Sequence, residues 1–211
     1  SYTDPLEEVQ PGFPEVLCES VGMRLEAEIV RPREGTSGRR SALAKWLTDP
    51  ANPLPARVIV NRVWQGHFGK GLVENANDFG TLTAPPSHPE LLDWLAAEFF
   101  RTNWSIKHLH RLIMTSNVYR QSSLRRTADD PRRLAAEDDP DNELYGHLER
   151  TRLTAERARD GMLFVAGTLN AEMYGRGVRP KLPEGFNVRE SWKVTADPNA
   201  ARRRSVYIYA K

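Results

Sequence analysis

Apolar positions between residues 55 and 67 recur at helical spacing and cover most of a helix's circumference. The residues concerned are Val58, Ile59, Val60, Val63, Trp64 and, just beyond, Phe68. The β-branched run at 58–60 would also suit a short strand, but the four-residue spacing of Arg57, Asn61 and Gln65 favours a helix. Because a surface helix carries one apolar stripe, the wider pattern predicts a helix that is buried on several sides.

A shorter helix is predicted just before it. Thr36 or Ser37 is placed to cap a helix that runs to about Thr48. Its expected apolar face is made of Leu43, Trp46 and Leu47. Pro55 then suits the first turn of the buried helix, since its missing N–H would be unpaired there.

Residues 69–88 are rich in Gly, Asn, Asp, Thr and Pro and are predicted to form a loop. Its length of about twenty residues exceeds the usual connection, and such loops are often functional. Ser87 and Glu90 have the spacing of a capping box, and Pro89 suits a first helical turn, so a helix is predicted to begin there. Its apolar stripe is Leu91, Leu92, Leu95 and Phe99.

Two further helices follow along the chain. Ser105 is predicted to cap one that runs to about Ser116, and Thr154 is predicted to cap the other. The inward residues expected are Ile106, Leu109, Leu112 and Ile113 in the first, and Ala158, Met162, Val165, Ala166 and Leu169 in the second. Residues 121–142, rich in Arg, Asp and Ala, are expected to be solvated and weakly packed.

The fold class predicted is mainly α, an irregular helical domain with long loops. Residues 1–38 contain many Pro and Gly and little periodicity, so we expect an extended N-terminal arm that lies on the core. Val206 and Ile208 alternate with tyrosines, which predicts a small C-terminal β element. Residues 39–211 are expected to form one domain. The absence of an initiator Met and the end inside a predicted strand suggest a fragment of a larger protein.

Composition limits the classes of function. Hydrophobic residues make up 39% and charged residues 27%, as in an ordinary soluble protein. No apolar run approaches the roughly 20 residues that a membrane span needs, so no membrane span is expected in this chain. Thirty Lys and Arg against 28 Asp and Glu give a net charge of +2, too small to recruit nucleic acid by charge alone. The single Cys18 excludes an internal disulfide.

Four polar residues around the long loop are candidates for catalysis: His67, Asp78, His88 and Glu90. The loop could fold two imidazoles and two carboxylates into one cleft, where they would suit a divalent metal or a general acid/base pair. Their spacing is not a fixed metal-ligand signature, so no metal ligand is assigned. The other interpretation is that His88 and Glu90 simply belong to a helix start.

One face of the buried helix combines polar groups with aromatic rings. Its members, at i, i+4, i+7, i+8 and i+11, are Arg57, Asn61, Trp64, Gln65 and Phe68. An aromatic ring with amide and guanidinium groups beside it could bind a sugar or an anion. The favoured alternative is that these groups bond the backbone of loop 69–88 and hold it on the core.

Other motifs give no site. Asp78-Phe79-Gly80 lacks the accompanying kinase motifs, and the Gly66 to Gly71 region lacks phosphate-loop spacing. His108 and His110, two residues apart on a helix, point to different faces and make a poor metal pair. Their helix and the one before it have helix-turn-helix spacing, but an ordinary helical hairpin is favoured and nucleic acid is not an expected partner. The Arg202-Arg203-Arg204 run is expected to be solvated.

Several blocks of the sequence, in the same order along the chain, resemble the planctomycete DUF1553 (PSD1) family. They lie at residues 39–47, 52–64, 68–73, 77–80, 88–95, 104–107, 119–123, 139–142, 152–156 and 203–207. Two examples are Asn77-Asp78-Phe79-Gly80 and Asp139-Pro140-Asp141-Asn142. The resemblance extends over nearly the whole chain and implies that more chain follows Lys211.

The resemblance also implies what kind of larger protein the chain belongs to. Proteins of that family are typically large and exported, and often carry a c-type cytochrome domain and a DUF1549 domain. Other domains of the parent protein, a c-type cytochrome domain among them, are thus expected partners, with carbohydrate as a further partner. No Cys-x-x-Cys-His motif occurs, so no cofactor is predicted in this chain and any haem would lie in another domain of the parent.

Two functions stay open. The leading prediction is a binding or interaction module of an exported, cytochrome-c-associated multidomain protein, with a carbohydrate-related role. The alternative is a metal- or acid/base-dependent hydrolase that uses the region of His67, Asp78 and His88.

Overall fold

A computed structural model of the chain describes residues 13–14, 38–124, 139–182 and 192–209. These residues form six α-helices, which confirms the mainly α fold class. The helices are α1 (Arg39–Leu47), α2 (Pro53–Phe68), α3 (Pro89–Arg101), α4 (Ile106–Thr115), α5 (Asn117–Arg120) and α6 (Ala155–Val165). Two 3₁₀ helices follow at Ala200–Arg202 and Ser205–Tyr207.

The chain divides into two compact units, Ser1–Arg150 and Thr151–Lys211, called unit 1 and unit 2 below. That residues 39–211 fold as one domain stays a prediction. Most of the arm predicted at 1–38 lies outside the described residues. Phe13, which is described, stacks on Trp46 of α1 with ring centroids 4.7 Å apart, so this part of the arm lies against unit 1.

The hydrophobic core of unit 1 is built on α2, which packs against α3 and α4. Its buried members are Ala56, Val60, Trp64, Phe68, Leu72, Val73, Leu92, Leu95, Ala96, Phe99, Leu109 and Ile113. Residues 58–60 lie within α2, which confirms the helix predicted for them over the alternative of a short strand. Local sequence sets both ends: the Asn52 side chain accepts a hydrogen bond from the backbone N–H of Leu54, Pro53 occupies the first turn, and Gly69 ends α2 with a φ of 84°.

Helix α1 differs from its prediction at its start and on its face. Its N-cap residue is Gly38, with a φ of 67° and no side-chain cap, while Thr36 and Ser37 lie outside the described residues. The buried positions of α1 are Ala42 and Trp46. The predicted apolar face was wrong for two residues, since Leu43 and Leu47 are exposed.

The start of α3 also differs from its prediction. The N-cap residue is His88 and makes no side-chain cap hydrogen bond, so the predicted capping box of Ser87 and Glu90 is wrong. The Ser87 hydroxyl donates instead to the backbone carbonyl of Leu72, which takes it away from the helix start. Pro89 occupies the first turn as predicted.

Helix α4 begins as predicted, with the Ser105 hydroxyl accepting from the backbone N–H of His108. Leu109 and Ile113 are buried, but Ile106 is exposed. Ile106 is the first residue of the helix, beyond the reach of the core formed by the next turns.

Two residues of the segment 121–142 pack more than the sequence indicated. Asn142 is buried, and the Gln121 side chain donates to the backbone carbonyl of Tyr145. The expectation of weak packing was therefore wrong at Gln121 and Asn142, while residues 125–138 lie outside the described part of the chain.

In unit 2, Thr154 caps α6 as predicted, accepting from the backbone N–H of Arg157. The predicted inward face is wrong: Met162 and Val165 are exposed, and α6 has no buried residue. The predicted C-terminal strand is also replaced. Val206 lies in a 3₁₀ helix, and Ile208 makes an isolated parallel bridge with Val178. None of the described helices is long and apolar enough to cross a membrane.

Candidate functional site

The loop after α2 is held on that helix by a buried asparagine. Asn61 is fully buried, its amide nitrogen donates to the Val73 carbonyl at 2.9 Å, and its amide oxygen accepts from the Val73 N–H at 2.9 Å. A side chain on Gly71 would not fit here, because a Cβ would lie 2.5 Å from the Val73 carbonyl oxygen and 2.7 Å from the Asn61 amide. The beginning of the loop is therefore part of the core.

Further hydrogen bonds fix the rest of the loop. The Ser87 N–H donates to the Leu72 carbonyl at 2.8 Å, which brings the two ends of the loop together. Arg62 of α2 donates to the Asn77 side chain at 2.9 Å. The Asp78 carboxylate accepts from the Gly80 N–H at 2.8 Å, which closes a local turn.

The loop forms an open groove of about 470 Å³, called the loop groove below. Its lining consists of Glu74, Asn75, Asp78, Leu82, Thr83 and Ala84. Two of these residues carry a carboxylate, one carries an amide and one a hydroxyl, and the almost fully exposed Leu82 adds an apolar surface. Its volume lies within the range of small-molecule sites.

A second feature is a cluster of seven rings on the C-terminal half of α2, called the aromatic cluster below. It consists of Trp64, Phe68, Tyr119, Tyr145, His67, His88 and His110. Trp64 and Phe68 are buried and stack with centroids 4.3 Å apart. The other five rings are half-buried around this pair.

Tyr145 joins Trp64 and His88 in this cluster. Its hydroxyl accepts from the Trp64 indole N–H at 2.8 Å, and its ring lies 5.6 Å from that of His88. Tyr145 has a φ of 52°, a left-handed conformation that is uncommon for a bulky residue. Burial raises the pKa of the Tyr145 hydroxyl above its ordinary value of 10.0, although the bond from Trp64 acts to lower it.

Asn142 holds Tyr145 in place. The Asn142 side chain donates to the His147 carbonyl at 2.9 Å and accepts from the His147 N–H at 3.3 Å. The Asp139 carboxylate accepts from the N–H groups of Glu143 and Leu144. Asn142 thus closes this loop in the way that Asn61 closes the loop after α2.

The two histidines at the other end of the cluster form a direct pair. His67 Nε2 and His110 Nδ1 are 2.8 Å apart, with ring centroids 5.0 Å apart. Since each nitrogen lies about 1 Å from its ring centre, these distances describe nearly head-on nitrogens that share one proton. One of these nitrogens donates its N–H to the lone pair of the other, which leaves no room for a metal ion bound between them.

The four candidate catalytic residues have different surroundings. His67 pairs with His110, and the Asp78 carboxylate closes the turn at Gly80. His88 lies 3.1 Å from the Ser87 hydroxyl, and Glu90 is exposed in the first turn of α3. No group of three or more His, Cys, Asp or Glu among the described residues is placed to hold a metal ion.

The predicted ligand-binding face of α2 is largely occupied by protein contacts. Asn61 bonds the loop backbone, as the favoured alternative predicted, and Arg57 donates to Asp93 at 2.6 Å. The rings of Trp64 and Phe68 are buried against each other. Gln65 is half-buried. A ligand role for these five residues stays a prediction.

In unit 2, α6 is bound to the C-terminal turn by an ionic network. The Asp160 carboxylate accepts from the Ser205 hydroxyl at 2.6 Å and from the Ser205 N–H at 2.9 Å. Arg159 donates to the Ser205 hydroxyl and to the carbonyls of Arg203 and Ala201. Desolvation acts to raise the pKa of Asp160, but the hydrogen bonds from Ser205 and the charge of Arg159 lower it overall.

Arg203 is buried, which contradicts the expected solvation of the Arg202-Arg203-Arg204 run at this residue. Its guanidinium donates to the carbonyls of Glu172, Tyr174 and Arg176 and lies 3.9 Å from the centre of the Tyr207 ring. The long side chain reaches carbonyls that are distant in sequence, which charge patterning does not reveal.

Sequence reasoning also missed several residues of the aromatic cluster. The residues missed are Tyr119, Tyr145 and His110. Each lies 43 or more residues along the chain from its partner in α2. The one signal for Tyr145 was its place three residues after Asn142, a residue type that favours left-handed turns.

The comparisons with known proteins identify the family. No curated protein and no solved structure gives a significant match. A family model described as "Protein of unknown function (DUF1553)", PSD1, matches residues 39–211, well over half of the chain. The chain therefore belongs to the PSD1 (DUF1553) family.

Proposed function

We propose that this chain is a binding module whose loop groove receives a polyhydroxylated ligand of the carbohydrate class. The observation that carries the proposal is a groove with polar lining built on a fixed loop. Glu74 and Asp78 bring carboxylates to the groove, and Asn75 and Thr83 bring an amide and a hydroxyl.

The chemistry of this lining favours a ligand rich in hydrogen-bond donors. An ionised carboxylate only accepts hydrogen bonds, whereas an amide and a hydroxyl both donate and accept. Adjacent sugar hydroxyls offer both functions, and the exposed Leu82 offers an apolar surface for the C–H face of a sugar ring. Because the loop is held by Asn61 and Ser87, little loop ordering opposes binding.

The hydrolase alternative has less support. It requires His67, Asp78 and His88 to act on one reacting group, yet each of them contacts a different neighbour. Asp78 lines the loop groove and could serve either function.

The wider context is also a proposal. That the chain is part of an exported multidomain protein, with a c-type cytochrome domain as a partner, is supported by the family resemblance alone. Haem staining of the full-length polypeptide, isolated from the periplasm or cell surface, would test both points.

The binding proposal is tested by NMR titration of the ¹⁵N-labelled chain with neutral oligosaccharides from several polysaccharides. The proposal expects shifts concentrated at residues 74–84 for at least one sugar. Glu74→Gln should weaken that binding at least about tenfold, since a hydrogen bond to a charged group contributes about 1.5–3 kcal/mol. The matched control is Glu149→Gln, which changes an exposed carboxylate outside the groove.

Three results would contradict the proposal. They are no response to any neutral sugar, shifts centred outside the loop groove, or binding restricted to cationic peptides and abolished by moderate salt. The last result would show that the carboxylates attract charge and do not recognise hydroxyls.

A further inference from the structure

Helix α6 turns its polar side toward the rest of unit 2 and its apolar side outward. Arg159 and Asp160 hold the C-terminal turn through Ser205. Beyond these bonded residues the helix exposes large apolar side chains, namely Met162 at 68%, Phe164 at 72% and Val165 at 86% exposure. This is the reverse of the usual arrangement of a surface helix.

The described residues of unit 2 form little hydrophobic core among themselves. Val178 is the single buried hydrophobic residue among its described residues, where the other buried side chains are Arg203 and Ser205. A segment of about 60 residues needs a substantial buried apolar surface, or another stabilising device, to remain folded. The exposed apolar residues of α6 offer part of that surface.

We infer that this face of α6 binds the same face of a second copy of the chain, as an antiparallel pair of helices centred on Gly161. The inference is independent of the proposed ligand binding in unit 1. Three features of α6 favour a second copy as the occupant.

The first feature is the centre of the face. Gly161 lies between Arg157 and Val165, four residues from each, so all three share one side of the helix. A Cβ on Gly161 would meet nothing within 4 Å, which shows that its surface is open. A glycine at this position allows two helix backbones to approach closely.

The second feature is complementary charge at the two ends of the face. The last turn of α6 contains no basic residue, so the negative end of its helix dipole has no cation of its own there. In an antiparallel pair centred on Gly161, Arg157 of each copy lies beside Val165 and the terminal carbonyls of the other. The same face therefore carries both the cation, Arg157, and the negative helix end beside which the Arg157 of the other copy lies.

The third feature is self-complementarity in size. In the same register, Ala158 of one copy lies opposite Phe164 of the other, a small residue against a large one. A two-fold interface repeats each such contact twice, so a single favourable pairing counts double.

Sedimentation velocity of the full 211-residue chain at tens of micromolar tests the inference. We expect a dimer for the wild type. Val165→Lys should raise the dissociation constant at least about tenfold, because it places a cation beside Arg157 of the second copy while remaining favourable for the end of α6. Ala171→Lys, which adds the same charge at an exposed position outside α6, should leave the dimer intact.

Cross-linking tests the register. In a Cys18→Ser background, Gly161→Cys should form an intermolecular disulfide, since facing Cα atoms of helices packed 8–10 Å apart lie about 4–5 Å from each other. Ala155→Cys should not, because the two copies of residue 155 would be about 18 Å apart along the axis.

A monomeric wild type would overturn the inference, whatever other surface covers α6. A dimer that is unaffected by Val165→Lys, with circular dichroism showing intact helix, would also overturn it. Equal cross-linking through residues 155 and 161 would exclude the antiparallel register.

Discussion

Asn61 and Val73 exchange two hydrogen bonds of 2.9 Å across twelve residues of sequence. The side chain of Asn61 thereby acts as a strand partner for a single residue of the loop and satisfies both of its buried backbone groups. The loop groove is built on this anchor, so its shape depends on a residue that does not line it.

Gly71→Ala should destabilise unit 1 by about 1–3 kcal/mol, because its Cβ would collide with the Val73 carbonyl and the Asn61 amide. Gly66→Ala is the matched control. A Cβ there meets nothing within 4 Å, and Ala is the better helix former, so this variant should gain up to about 1 kcal/mol. Urea unfolding measures both variants, and equal effects would contradict the close approach at Gly71.

Tyr145→Phe should cost about 1 kcal/mol at neutral pH, since it leaves the Trp64 indole N–H without its acceptor. The folded pKa of Tyr145 is raised, so its neutral hydroxyl contributes stability that is fully present below the unfolded pKa of about 10. That contribution is lost as the pH rises through the folded pKa. The stability difference between wild type and variant should therefore shrink above pH 10.

Urea unfolding at neutral pH and at several values above pH 10 measures this effect. Tyr174→Phe, at an exposed tyrosine of unit 2, is the control variant. A difference between wild type and Tyr145→Phe that stays constant above pH 10 would contradict the raised pKa.

Arg203→Ala should loosen unit 2, because it removes donors to three backbone carbonyls and the contact with the Tyr207 ring. The expected loss of local stability is about 2–4 kcal/mol. Hydrogen–deuterium exchange should show faster uptake in peptides covering 170–182 and 200–209. Arg202→Ala, the exposed neighbour, is the control, and similar uptake in the two variants would refute the structural role of Arg203.

Local signals in the sequence were sufficient for two helix caps and one first-turn proline. Ser105 and Thr154 accept the capping hydrogen bonds predicted for them, and Pro89 occupies the first turn of α3. Each of these interactions joins residues within one turn, so it follows from spacing alone. The burial of α2 could also be predicted from the sequence, because its apolar residues occupy so much of the helix circumference.

The sequence-based predictions are wrong where a contact with a residue distant in sequence determines the local structure. The orientation of α6 depends on the bonds of Asp160 with Ser205, 45 residues away, and periodicity alone favoured the opposite face. The alternation at Val206 and Ile208 suggested a strand, but a strand needs a neighbouring strand, and here Ile208 has one isolated bridge. The candidate site was found only as a region, since the groove depends on how loop 69–88 folds back through Ser87 and Leu72.

The central claim is that loop 69–88 is a fixed platform anchored by Asn61. Amide hydrogen exchange of Val73, measured by NMR on the whole chain, tests it most directly. We expect the Val73 amide to exchange orders of magnitude more slowly than that of the exposed Leu82, and Asn61→Ala to remove this protection while α4 stays protected. A Val73 amide that exchanges as fast as Leu82 in the wild type, or one still protected in Asn61→Ala, would contradict the account.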